Sequence, residues 1–135
     1  MSSLKGKIAL VTGSGRGLGK VMAQRLADQG ANIVLHDIDW DAPEKHKEAQ
    51  SLGEVAKEFE KKGVEVLAVT GNIGDVQAVA AMCSKIEEKF SKVDILVNCA
   101  GGDIGASGGK PSPNNALDIP IEDVQALINN NLIGT

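Results

Sequence analysis

The stretch Lys7-Ile8-Ala9-Leu10-Val11-Thr12, running into Gly13-Ser14-Gly15-Arg16-Gly17-Leu18-Gly19, limits what this chain can fold into more than any other part of it. A short apolar run ending in Thr, then glycines, then Val21, Met22 and Leu26 at helical spacing predicts a strand, a tight turn and a helix. Glycines let a backbone turn sharply and approach a phosphate closely. The unpaired N–H groups and the positive dipole end of the following helix face that charge. Two other glycine motifs are excluded by letter. A Walker loop would need Gly at 14 and Ser or Thr at 21, where Ser14 and Val21 stand, and a GxGxxG begun at Gly13 fails at Leu18. What remains is Thr-Gly-x-x-x-Gly-x-Gly, read as a phosphate cradle.

With 135 residues, 42% hydrophobic and 24% charged, the chain suits one globular domain with its own core. Its net charge of −4, with no basic run beyond Lys61-Lys62, argues against nucleic acid or an anionic membrane as partner. The N-terminal apolar run is too short for a signal-peptide core or a membrane span, so a cytoplasmic location is expected. Cys83 and Cys99 lie far apart, without CxxC or Cys/His clustering, so no metal site or disulfide is indicated and both are expected as buried thiols.

Along the chain, Leu18, Val21, Met22 and Leu26 form one helical stripe over 17–29, expected to pack on a sheet, with Gly30 as its stop. Asn32-Ile33-Val34-Leu35-His36-Asp37 is a second strand, completing a right-handed βαβ unit with parallel strands. Asp37 at its end stands where such a fold places an acid on the ribose hydroxyls, with the uncharged Ile38 beside it. Residues 39–50 read as a surface loop or irregular helical turn. Ser51 and Glu54 then fit a capping box for a helix carrying Val55, Ala56 and Phe59 to Gly63. Residues 64–69 are a third strand. Asp75 caps a helix with the stripe Val79, Cys83, Ile86 and Phe90, and residues 93–97 are a fourth strand ending at Asn98. Gly13, Asp37 and Asn98 thus gather at the carboxyl ends of the strands, where open parallel sheets bind ligands. Residues 102–115 are a Gly/Ser/Pro/Asn-rich loop. Pro120 opens a last helix with Ile121, Val124, Leu127, Ile128 and Leu132 on one face and Asn131 on that same stripe, an amide that must find partners.

These residues resemble the N-terminal portion of the classical short-chain dehydrogenases/reductases (SDR). Thr12-Gly13-x-x-x-Gly17-x-Gly19 is similar to that family's cofactor loop, Asp37 to its adenosine-ribose acid, and Asn98-Cys99-Ala100-Gly101 to its Asn-Asn-Ala-Gly motif, with Cys99 replacing the second Asn. Asn131-Leu132-Ile133-Gly134-Thr135 resembles the stretch around its catalytic Asn. The resemblance implies an α/β fold, a Rossmann-type doubly wound parallel sheet of order 3-2-1-4 over residues 1–135. It also implies an NAD(P)-dependent oxidoreductase interconverting alcohols and carbonyls. The cofactor would meet Gly13, Gly15, Arg16, Gly17, Leu18, Gly19, Asp37, Ile38, Asn72, Ile73, Asn98, Ala100 and Gly101. Asn72-Ile73 would lie at the adenine, where the family usually has Asp followed by Val or Ile. NAD is expected over NADP, because Asp37 would repel a 2′-phosphate, although Arg16 could attract one. A small alcohol or ketone substrate and a homo-oligomer, dimer or tetramer, are implied as well.

Asn131 is the one catalytic residue carried over, through a carbonyl-bound water that reaches the family's Lys. The family's Ser, Tyr and Lys come later in its sequence, and this chain has no Tyr. General acid/base chemistry then has no donor among these residues. A truncated enzyme is expected, with an open apolar edge on the fourth strand. A non-catalytic dinucleotide-binding or sensor module on the same fold is the alternative.

Overall fold

The structure, a computed structural model, describes residues 3–135. Four strands, β1 (Ile8–Val11), β2 (Asn32–Asp37), β3 (Val66–Thr70) and β4 (Ile95–Val97), form one parallel sheet of order β3-β2-β1-β4. Between them lie α1 (Gly17–Asp28), the single turn α2 (Ala42–Lys45), α3 (Leu52–Glu60) and α4 (Val76–Phe90). After a long loop come α5 (Ile121–Ile128) and a π-helical turn, Asn129–Ile133.

Strand alternation divides the core in two. Ala9, Val11, Ile33 and Leu35 pack with Ala23 and Ala27 of α1 and Leu52, Val55 and Phe59 of α3; Ile8, Val34 and Val69 pack with Met82 and Ile86 of α4 on the opposite face. Each element is stopped or started by local chemistry. Ser51 Oγ accepts from Glu54 N–H at 3.2 Å, and Asp75 Oδ1 accepts from Gln77 and Ala78 N–H at 2.8 and 3.3 Å. Gly30 and Gly63, at φ +88° and +80°, end the two turns after α1 and α3. Asp94 fixes the register of β4 against β1. Its N–H donates to Ile8 O and its carboxylate accepts from Ile8 N–H, both at 2.9 Å. That amide, with Lys92 and Lys7 nearby, holds the Asp94 carboxyl down to about 2.

Several sequence expectations are corrected. The buried face of α1 is Gly19, Ala23 and Ala27 rather than the larger stripe; Leu18, Val21 and Met22 are exposed and Leu26 is half-buried. The cause is close approach. A Cβ on Gly19 would collide with Gly13 O, so α1 sits against the β1 turn at a spacing that admits only small side chains. On α4 the buried pair is Met82 and Ile86, while Cys83 is exposed and Cys99 is half-buried against the core, so neither thiol is fully buried. β3 begins two residues later than expected and β4 keeps only three residues of its run, with Leu96 57% exposed. The expected stripe on α5 is not a buried face either. Ile121, Ile128 and Leu132 are exposed, and Asp123 is that helix's buried residue.

Candidate functional site

The carboxyl ends of all four strands open on a cavity of about 310 Å³. Gly13, Arg16, Gly17, Leu18 and Gly19 line it from the β1 turn, Asp37 and Ile38 from β2, Asn72 and Ile73 from β3, and Ala100 and Gly101 from β4. Two expected residues lie elsewhere. Gly15 is buried beneath the cradle, where a Cβ would come within 2.6 Å of Asp37 Oδ2 and 3.0 Å of Pro43 Cγ. Asn98 is exposed at the edge strand and does not line the cavity.

What holds the β4 turn to the cradle is Thr12. Its Oγ1 accepts from both Cys99 and Ala100 N–H at 3.0 Å, and a Cβ on Gly13 would lie 2.8 Å from Ala100 Cα. His36 ties the other side. Gly13 N–H donates to its Nδ1 at 3.2 Å, which makes Nδ1 the acceptor and leaves the proton on Nε2, 2.9 Å from Gly71 O. Burial of the ring pushes its pKa below the ordinary 6.5, outweighing the Gly71 bond and the nearby Asp37 charge. His36 therefore stays neutral at pH 7. Ser14, fully buried, closes the joint by accepting from His36 N–H at 3.0 Å. The sequence carried one signal for these roles: a His inside an otherwise apolar strand needs buried partners.

Asp37 is 8% exposed. Its Oδ1 accepts from Ile38 N–H at 2.9 Å, but its Oδ2 is buried without a partner among the described residues. A buried carboxylate oxygen left unpaired is costly, and a ligand hydroxyl donor would satisfy it. Gly17, at φ +54°, has open space where a Cβ would stand. At Asn72 the side-chain oxygen is already used, accepting from Gly74 N–H at 2.9 Å.

Asn131 stands beside the cavity rather than in it, and Asn130 lines the cavity instead. The Asn131 amide finds the partners it needs within the chain. Oδ1 accepts from Gly102 N–H at 2.7 Å, and Nδ2 donates to Gly102 O at 3.0 Å and Leu127 O at 2.9 Å. Leu127 O is the carbonyl that Asn131's own N–H would take in an α-helix. With that acceptor used, the helix widens into the π turn closed by Gly134 N–H on Asn129 O at 2.8 Å. The 102–115 loop is pinned a second time, where Asp123 Oδ1 accepts from Ala106 N–H at 2.8 Å. Ile104, between the two anchors, lines the cavity.

A parallel sheet of this order, with a glycine turn opening its first helix and an acid at its second strand's end, defines a Rossmann-type α/β domain. The short chain dehydrogenase family profile matches residues 7–135, and the chain belongs to that family. It is 38% identical over 133 residues to the 3-hydroxyacyl-CoA dehydrogenase type-2 of Bos taurus, a match that takes in 98% of this chain and 46% of that protein. It is 36% identical over 120 residues to the 7alpha-hydroxysteroid dehydrogenase of Escherichia coli K12, covering 89% of this chain and 40% of that one. Among solved structures, NAD+-bound xylitol dehydrogenase superposes with a TM-score of 0.76 at 30% identity, over 98% of this chain and 45% of that chain. The chain thus spans less than half the length of these relatives.

Proposed function

We propose that this chain is the cofactor-binding part of an NAD-dependent short-chain oxidoreductase that interconverts a small alcohol and its carbonyl compound. One observation carries the reading: Asp37, whose carboxylate keeps a buried Oδ2 without a partner among the described residues, lines a cavity built by the strand ends. Two vicinal ribose hydroxyls are the donors such a carboxylate accepts, and a 2′-phosphate is an anion it repels. Arg16 on the same wall is the counter-charge, and the ionised acid, closer to the sheet and desolvated, outweighs it. Gly13, Gly17 and Gly19 carry no side chain and leave room for a pyrophosphate at the start of α1, and Ala100 and Gly101 leave room for the second ribose.

The nicotinamide supplies hydride transfer; the residues present bind and orient it. Ile104 and the pinned loop wall the substrate side. Asn131 acts on the proton path through the π turn, with the Tyr and Lys of the relatives outside these residues. A soluble cytoplasmic homo-oligomer completes the reading; among the described residues no helix is long and apolar enough to cross a membrane.

Calorimetry tests the reading. Asp37→Ala should weaken NAD by roughly tenfold or more, the worth of hydrogen bonds to a charged group, and should narrow the gap to NADP. A preference of the unmutated protein for NADP would refute the assignment. The alternative is a dinucleotide-binding module without catalysis on the same fold, since fold does not imply function. A coding sequence lacking a Tyr with a Lys four residues after it would decide for that module.

A further inference from the structure

Between β2 and α3 the chain runs against the cofactor cradle and touches it twice. Pro43, fully buried, and Leu52 close around Gly15, where a Cβ would stand 3.0 Å from Pro43 Cγ and 3.2 Å from Leu52 Cδ1. Further along, Glu48 Oε2 accepts from Gly17 N–H at 2.9 Å. Gly17 is the first residue of α1, and its N–H is one of the orphan donors at that helix's positive end. Arg16, the N-cap, supplies no side-chain bond there. The same Gly17 lines the cavity that Asp37 also lines, the acid whose Oδ2 is buried without a partner among the described residues.

The position of Glu48 is built by the backbone before it. Lys47 holds the left-handed conformation at φ +59°, uncommon for a side chain of that size, and Glu48 N–H donates to Pro43 O at 3.1 Å. Beyond that bond the segment carries no regular structure until α3, and Glu48 itself is exposed while Ala49 is half-buried against the core. A side chain so placed is steered to the cradle yet can leave it at small cost.

We propose that Glu48 is an internal anion seated at the phosphate end of the cradle, displaced when a dinucleotide binds, so that its charge sets affinity for NAD and NADP alike. This rests on the dinucleotide reading above. One N–H cannot serve a carboxylate and a pyrophosphate together, and two anions at one helix end repel. Because every dinucleotide carries the pyrophosphate, the competition does not distinguish the two cofactors. Discrimination stays with Asp37. The segment also holds Trp40, the only Trp, half exposed and with its carbonyl accepting from Leu52 N–H at 2.8 Å. Its emission gives a report on the segment that needs no turnover.

The test is calorimetric titration of the protein and its Glu48→Ala and Glu48→Gln variants with NAD, NADP and ADP-ribose, beside Asp37→Ala. Hydrogen exchange and Trp40 fluorescence are followed over 38–50. The expected result is that both dinucleotides bind Glu48→Ala roughly two- to fivefold tighter, the worth of one charge at a helix end, with their ratio unchanged. In the unmutated protein NAD should speed exchange over 46–50, and in Glu48→Ala that exchange should be fast before any ligand is added. Glu48→Gln, equal in length, should keep the fold and show the same direction if Ala does not fold. Affinity unchanged or weakened in both variants would make Glu48 a helix cap or a cofactor ligand and end the proposal. Tighter binding of NADP alone would make it a screen against the 2′-phosphate instead. No binding of either dinucleotide to the unmutated protein would remove the functional reading itself, and this inference with it.

Discussion

His36 carries the pH dependence of this site. In the unfolded chain it titrates near its ordinary 6.5, while burial lowers the folded value, so the unfolded state takes up the proton first. Its contribution to stability is therefore complete above about pH 6.5 and is lost as pH falls through the lowered folded value. Protonation also destroys the acceptor that Gly13 N–H uses, so NAD affinity should fall over the same range. Urea midpoints and NAD titrations between pH 8 and pH 5 should both decline in the unmutated protein and lose that decline in His36→Gln. At this scale the sequence was legible where a residue type is forced: Gly13, Gly17 and Gly19 by close approach, Asp37 by its place at a strand end. Thr12, Ser14 and Glu48 were not, because side chains that brace a neighbouring backbone leave no period. Asn98, expected at the cofactor, is exposed at the end of β4, and Thr12 is what braces the turn after it.

Helices and strands followed their patterns in kind and failed in facing. Period alone chose the large residues of α1 for burial, but the approach demanded by Gly19 reserves that face for alanines. On α5 the apolar stripe was real in sequence and uncovered in the structure, and Asn131, read as an amide that needs partners, and Asp123, not read at all, are what join that element to the loop. Asn131→Leu removes three hydrogen bonds from the π turn. Gly102 is exposed and its freed groups return to water, so the stability loss should be modest, about 1 kcal/mol by urea unfolding. In the full-length enzyme turnover should fall far more than NAD affinity does. Turnover surviving the substitution would leave Asn131 a loop clamp only.

Across the whole molecule the sheet order was legible because βαβ units allow few arrangements, and the fourth strand's exposure followed from that order. β4 stands at the sheet edge with Leu96 57% and Val93 41% exposed, a pairing hazard. The 135-residue chain should self-associate in light scattering at high concentration, and Leu96→Lys should reduce that association without lowering NAD affinity. The two braces on the cradle also differ in a way that bears on how it is made. His36 meets Gly13 and Ser14 across only 23 and 22 residues, whereas Thr12 meets Ala100 across 88. Closing the longer loop costs more entropy and comes after the strands between have paired. On a ribosome the first brace can form once β2 has emerged, and the second must wait until the β4 turn has left the exit tunnel. The cradle spends that interval half-built, and competence to hold a nucleotide then becomes a timestamp of synthesis past Ala100.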